Sequence, residues 1–113
     1  MRKVLSNDKI HQSAHSAMAK FHPNAVSEIE AAIAAHDWVV VGMAQNPVVM
    51  KARKVLNAQN IQFHYIEHGS YFSGWKIRLA IKLWSGWPTF PQIFHKGILI
   101  GGCADLEKYL QKK

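Results

Sequence analysis

The run Trp38-Val39-Val40-Val41 constrains the fold of this chain more than any other stretch. It is apolar on both faces, rich in β-branched residues and too short for a helix, so it reads as a central strand covered by a layer on each side. The residues after it narrow the choice. Gly42-Met43-Ala44-Gln45 reads as a loop, and Asn46-Pro47 opens a helix, because asparagine is a preferred N-cap and proline suits the first helical position. Val48, Ala52, Val55 and Leu56 carry the apolar face of that helix to about Gln59, and Ile61-Gln62-Phe63-His64-Tyr65-Ile66 alternates as a strand does. Strand, helix and strand in this order imply a βαβ unit of parallel strands with a right-handed crossover.

The flanks extend the pattern. Ser73 to Trp84 has helical spacing, with Ile77, Ala80, Ile81 and Trp84 on its buried face and Gly86 as terminator. Gln92–His95, the pair Lys96-Gly97 and Ile98–Ile100 read as a hairpin, and Gly101-Gly102 leads into a last helix from Ala104 to about Leu110. Upstream, a helix begins after Asn24 and closes at His36, with Val26, Ile29 and Ile33 on one face. Ahead of it, an amphipathic helix is expected from Asp8 to Phe21, capped by Ser6-Asn7 and broken at His22-Pro23. The expected organisation is an N-terminal helical extension over residues 1–24 and one α/β domain over 25–113.

With 113 residues, a second full domain does not fit. The lone Cys103 excludes an internal disulfide, intramolecular dithiol chemistry and an all-cysteine metal cage, and suits a reducing, cytoplasmic setting. His11 and His15 share a helical spacing, as do His64 and His68, yet a metal site needs three or four ligands and no third is placed, so no metal is expected. Fourteen Lys and Arg against seven Asp and Glu give a net charge of +7, which attracts anions in general. Without a nucleic-acid-binding motif or a run of five like charges, nucleic acid is not an expected partner. No apolar run approaches the ~18 residues of a membrane span and no signal peptide is read, so no membrane partner is expected either.

Three motifs then carry a resemblance. Trp87-Pro88-Thr89-Phe90-Pro91-Gln92 resembles the stretch before the penultimate strand of monothiol glutaredoxins. Gly101-Gly102-Cys103-Ala104-Asp105 is similar to that family's glycine pair before its last helix, and Asn46-Pro47-Val48-Val49 falls where dithiol members have Cys-Pro-Tyr-Cys. The resemblance covers roughly residues 25–111 and implies a thioredoxin-like (glutaredoxin) fold: a four-stranded mixed sheet flanked by helices, here with an extra N-terminal helix.

It also implies a glutathione site with its chemistry removed. Asn46 stands at the nucleophilic cysteine, Val49 at the second cysteine and Met43 where members carry a lysine beside the thiolate. Thiol–disulfide exchange by the family's route is therefore expected to be absent, and so is the iron–sulfur cluster of monothiol members, which needs that thiolate as a ligand. The resemblance places a cis bond at Phe90-Pro91 and backbone pairing of Phe90, after Thr89, with the cysteinyl part of glutathione. It places the γ-glutamyl end at Gly102, Cys103, Ala104 and Asp105, and the glycyl carboxylate at Arg78. Read from the residues alone, Asn46 is a helix cap or a donor to a glutathione sulfur, Arg78 a solvated residue or a carboxylate clamp, and Cys103 a small buried hydrophobe or a reactive thiol. The expected function is a redox-inactive domain binding glutathione or a protein partner. The alternative is a glutathione-dependent oxidoreductase or transferase in which Asn46 positions the ligand's sulfur.

Overall fold

The computed structural model describes residues 8, 11–14, 23–70 and 72–112. Among the described residues the main elements run in the order α1 (Pro23–Ala35), β1 (Trp38–Gly42), α2 (Pro47–Ala58), β2 (His64–Glu67), α3 (Trp75–Ser85), β3 (Gln92–His95), β4 (Ile98–Gly101) and α4 (Cys103–Gln111). The amphipathic helix expected over Asp8–Phe21 lies largely outside the described residues; of it, Gln12–Ala14 are helical and exposed.

The strands form one mixed sheet in the order β2-β1-β3-β4, with β2 parallel to β1 and both β3 and β4 antiparallel to their neighbours. Side chains of β1 divide between two cores. Val39 and Val41 join Ile29, Ile81 and Phe94 beneath α1 and α3, while Trp38 and Val40 join Ala52, Leu56, Ile93 and Leu106 beneath α2 and α4. All five residues of β1 are buried, as the continuous apolar run requires. Each fully buried Val, Leu or Ile contributes about 1.5–3 kcal/mol relative to exposure, so the sandwich of helices around this sheet dominates the stability.

Local chemistry sets most boundaries. Lys96 and Gly97 both have positive φ, as a two-residue hairpin turn demands, and Gly86 ends α3 in the left-handed conformation. Several expectations are corrected. α1 starts at Pro23, ahead of Asn24, because proline fits the first helical turn. β2 begins at His64 instead of Ile61: its pairing starts where β1 offers Val39, and Ile61 donates its N–H back to Leu56 O at 3.0 Å. α3 begins at Trp75 because Ser73 pairs with Ser70 in an isolated bridge, and α4 gains Cys103. Val48 and Trp84, assigned to buried faces, are exposed; Val49 takes the core position in α2, and Trp84 only leans on Phe94 with ring centroids 6.0 Å apart.

Candidate functional site

The C-terminal end of β1 delivers the chain into a tight loop, with Gln45 at φ 62 before Asn46. Asn46 then caps α2. Its Oδ1 accepts from Val48 N at 2.9 Å and Val49 N at 3.0 Å, so the carboxamide holds two of the N–H groups that a helix start leaves unpaired. Met43 and Val49 are both buried in the same core cluster as Phe90, which sets the start of α2 beside the turn that precedes β3. The thioether of Met43 and the methyls of Val49 thus fill the core beneath the start of α2.

The turn is the second wall. The Phe90–Pro91 peptide is cis, as the resemblance implies, Thr89 is exposed, and both Phe90 and Pro91 are buried. Gln92, fully buried, donates from Nε2 to Trp87 O at 3.0 Å and so ties the turn together from inside. Gln92 Oε1 and the indole Nε1 of Trp87 are buried without a partner among the described residues.

The third wall is the start of α4. Gly102 at its N-cap has no side chain to cover the first N–H groups, those of Cys103 and Ala104. Asp105 reaches back so that Oδ2 accepts from Gly102 N at 3.1 Å. A Cβ on Gly102 would lie 3.7 Å from Pro91 O, 3.8 Å from Trp87 Nε1 and 3.9 Å from Asp105 Oδ2, so the absent side chain leaves a small space framed by all three. Gly101, at φ 124, is required as glycine: a Cβ there would meet Asp105 Oδ2 at 2.8 Å. Phe90, Pro91, Gly102, Cys103, Ala104 and Asp105 therefore come together as one corner, with Asn46 on the adjoining loop.

Arg78 does not join them as a solvated helix residue. It is buried, 8% exposed, and Nη1 donates to Ser73 O at 2.6 Å and His68 O at 3.1 Å, bracing the loop between β2 and α3. That loop in turn holds the site loop, through Ala44 N to Gly69 O at 2.8 Å and His68 N to Gly42 O at 3.0 Å. The cation nearer the turn is Lys82, one helical turn beyond Arg78, with Nζ 5.8 Å from the centre of the Phe90 ring. Its i+4 spacing from Arg78 was the available signal, and Trp87 Nε1 had none.

Cys103 is buried, and its thiol is pushed above the ordinary value first by burial, then by a hydrogen bond to Glu107 Oε1 at 3.6 Å and that group's charge, with Lys51 opposing. Lys51 bridges Glu107 at 3.3 Å. Tyr65 lies under the Arg53 guanidinium, 4.0 Å from its ring centre, and donates to Glu67 at 2.9 Å; burial and Glu67 push its hydroxyl up to about 12. Among the described residues, no group of three or more His, Cys, Asp or Glu is placed to hold a metal ion.

Comparison with known proteins fits this geometry. The family model described as Glutaredoxin matches residues 47–100. A glutaredoxin-like protein of Dictyostelium discoideum is 51% identical over 92 residues, covering 81% of this chain and 75% of its own length. Among solved structures, a wheat glutaredoxin superposes with a TM-score of 0.69 at 27% identity, covering 84% of this chain and 88% of the other. A buckwheat glutaredoxin–glutathione complex superposes at 0.67 with 22% identity, covering 80% of this chain and 84% of that one.

Proposed function

The chain belongs to the glutaredoxin family, and from that premise we propose that it is a redox-inactive member, one that holds glutathione, or a glutathionylated or protein partner, without attacking it. The observation that carries this reading is the Asn46 cap. The N–H groups of Val48 and Val49, which at a helix start would stabilise a thiolate, are taken by a neutral carboxamide oxygen. Disulfide exchange needs a thiolate attacking a disulfide sulfur, and the chain's single thiol, Cys103, is buried with its pKa raised. An iron–sulfur cluster likewise finds no accessible thiolate in this donor set.

Glutathione fits the residues that remain. Its γ-glutamyl carboxylate suits the uncovered N–H groups of Cys103 and Ala104, with Asp105 beside its amino group, and its cysteinyl backbone suits Phe90. The unpartnered Trp87 Nε1 beside Gly102 supports a ligand that accepts a hydrogen bond there. Lys82 is the cation within reach of the glycyl carboxylate, with Arg78 behind it as the brace of the loop. The Asn46 amide, its oxygen engaged, offers only Nδ2 to the ligand's sulfur, a donor that can hold the sulfur but cannot itself attack a disulfide.

Charge-assisted contacts are worth about 1.5–3 kcal/mol each against a rigid-body cost of at least ~4 kcal/mol, so binding on the order of millimolar is expected. Titration of glutathione into isotope-labelled protein checks this. Shifts at Phe90, Gly102, Cys103 and Ala104, saturating in that range and reproduced by S-methylglutathione, are the expected result. Silence of those amides up to roughly ten times that concentration overturns the reading.

A further inference from the structure

Helix α3 is apolar on two sides. Ile77, Ala80 and Ile81 face the core, as an amphipathic helix should. Trp75, Leu79 and Leu83, spaced i, i+4 and i+8, form a second stripe on the solvent side, and Phe72, in the turn just before the helix, is exposed as well. Phe72 is 92% exposed, Leu83 65% and Trp75 60%. Single exposed hydrophobes are ordinary; three on one helical stripe about 12 Å long, with a fourth in the adjoining turn, mark a surface meant to be covered.

Charge says by what. Between Glu67 and Asp105 the sequence contains no acidic residue, while Lys76 and Lys82 lie on the same helix as the stripe, Lys76 with Nζ 5.6 Å from the Trp75 ring. Helix α1, packed against α3, exposes Glu28 and Glu30. A second copy of the chain would set lysines against lysines, in a protein already at +7. A flat anionic lipid surface wide enough to touch α3 would also approach the acids of α1. A single helix, ~10–12 Å across, avoids both.

We propose that the Phe72–Trp75–Leu79–Leu83 face of α3 receives an amphipathic helix of a protein partner, with an apolar stripe at i, i+3/i+4 and i+7 and glutamate or aspartate along its flanks. Two large aromatics beside aliphatic side chains are the composition of an interface centre, and the flanking lysines set orientation and partner choice. The inference shares Lys82 with the proposed glutathione site but does not rest on that reading, since none of the four apolar residues belongs to the corner formed by Phe90, Pro91 and Gly102 and the substitutions that test it leave Lys82 in place.

The test uses the full chain and two crosslinked synthetic helices with one leucine stripe, one flanked by glutamates and the other by lysines, followed by anisotropy of a label on the peptide. The glutamate helix is expected to bind at least about tenfold more tightly than the lysine helix, and to weaken as salt rises. Leu79→Ser with Leu83→Ser, both at exposed positions, should abolish binding while leaving the thermal melt within a few degrees of the parent; Trp75→Ala gives a second, independent loss. Equal binding of the two helices, or binding indifferent to these substitutions, overturns the proposal. So does any of three other occupants: phosphatidylcholine–phosphatidylglycerol vesicles bound through the same leucines, a dimer in sedimentation that Leu83→Ser dissolves, or nuclear Overhauser contacts from the Leu79 and Leu83 methyls to residues 8–21 in the free chain.

Discussion

The starts of α2 and α4 are the same physical device finished in opposite ways. Each presents backbone N–H groups and the positive end of a helix dipole toward one corner of the molecule. At α2 the device is closed, because Asn46 Oδ1 accepts from Val48 and Val49. At α4 it is left open above Gly102, with the Asp105 carboxylate turned onto Gly102 N. A helix start that keeps its donors free is available to a ligand, whereas one that caps itself has given that use up for stability.

The largest effect should come from reopening the closed end. Asn46→Cys removes the amide and supplies a thiol where the N–H groups and dipole favour a thiolate. Glutathione-linked disulfide exchange, expected to be at background in the parent, should rise in that variant by about 100-fold or more, since Cys placed at a helix start gains both acidity and a nucleophile. A folded but inert Asn46→Cys would mean that the two ends no longer address the same ligand. Next is the brace beside them. Arg78→Ala should lower the unfolding free energy by about 2–3 kcal/mol in a denaturant titration, because it removes the charged donor from His68 O and Ser73 O, leaving Ser73 O only the N–H of Ser70, and empties the space of a buried guanidinium. If Arg78 is instead chiefly a ligand clamp, stability will hold and glutathione affinity alone will fall.

Smaller effects separate the two starts directly. Asn46→Ala should cost about 1 kcal/mol of stability through the lost cap. Gly102→Ala, where the new methyl makes only contacts of 3.7 Å and beyond but alanine is a poorer N-cap than glycine, should cost about half as much as Asn46→Ala while filling the space beside Trp87 and weakening glutathione. Equal stability losses at both sites would erase the distinction drawn between them. Smallest is the thiol at the open end. Cys103 in the native protein should be alkylated more slowly than free cysteine at neutral pH, with its rate climbing only at pH above the ordinary thiol value. Glu107→Gln should move that climb to lower pH, since it removes the charge that raises the pKa.

What the sequence made legible was local. The buried strand at Trp38–Val41, the Asn46-Pro47 start, the Lys96-Gly97 turn and the Gly86 stop each depend on a few neighbouring residues and came out as read. The four-stranded mixed sheet emerged from the order of such pieces. What misled was anything settled by a distant partner. Ile61–Phe63 alternate well enough for a strand, yet the pairing of β2 with β1 starts only at His64, opposite Val39. Arg78 sits in a helical pattern that says nothing of the carbonyls ten and five residues earlier that claim its guanidinium. The outer stripe of α3 went unread because one buried face, Ile77, Ala80, Ile81 and Trp84, already accounted for the helical spacing. The cis bond at Phe90–Pro91 was legible only through the family resemblance, because most X–Pro bonds are trans.

The buried carboxamide of Gln92, bonded to Trp87 O, has a consequence for how quickly and cheaply the groove can be occupied. Because a fully enclosed side chain spans the turn from Trp87 to Pro91, the backbone that meets a ligand is already immobilised when the ligand arrives. The ordering entropy of that segment, of order 1–2 kcal/mol per residue, is then charged to folding and not to association. A wall set in advance in this way lets a ligand dock and leave without any folding or unfolding of the turn, so association is limited by encounter and not by rearrangement.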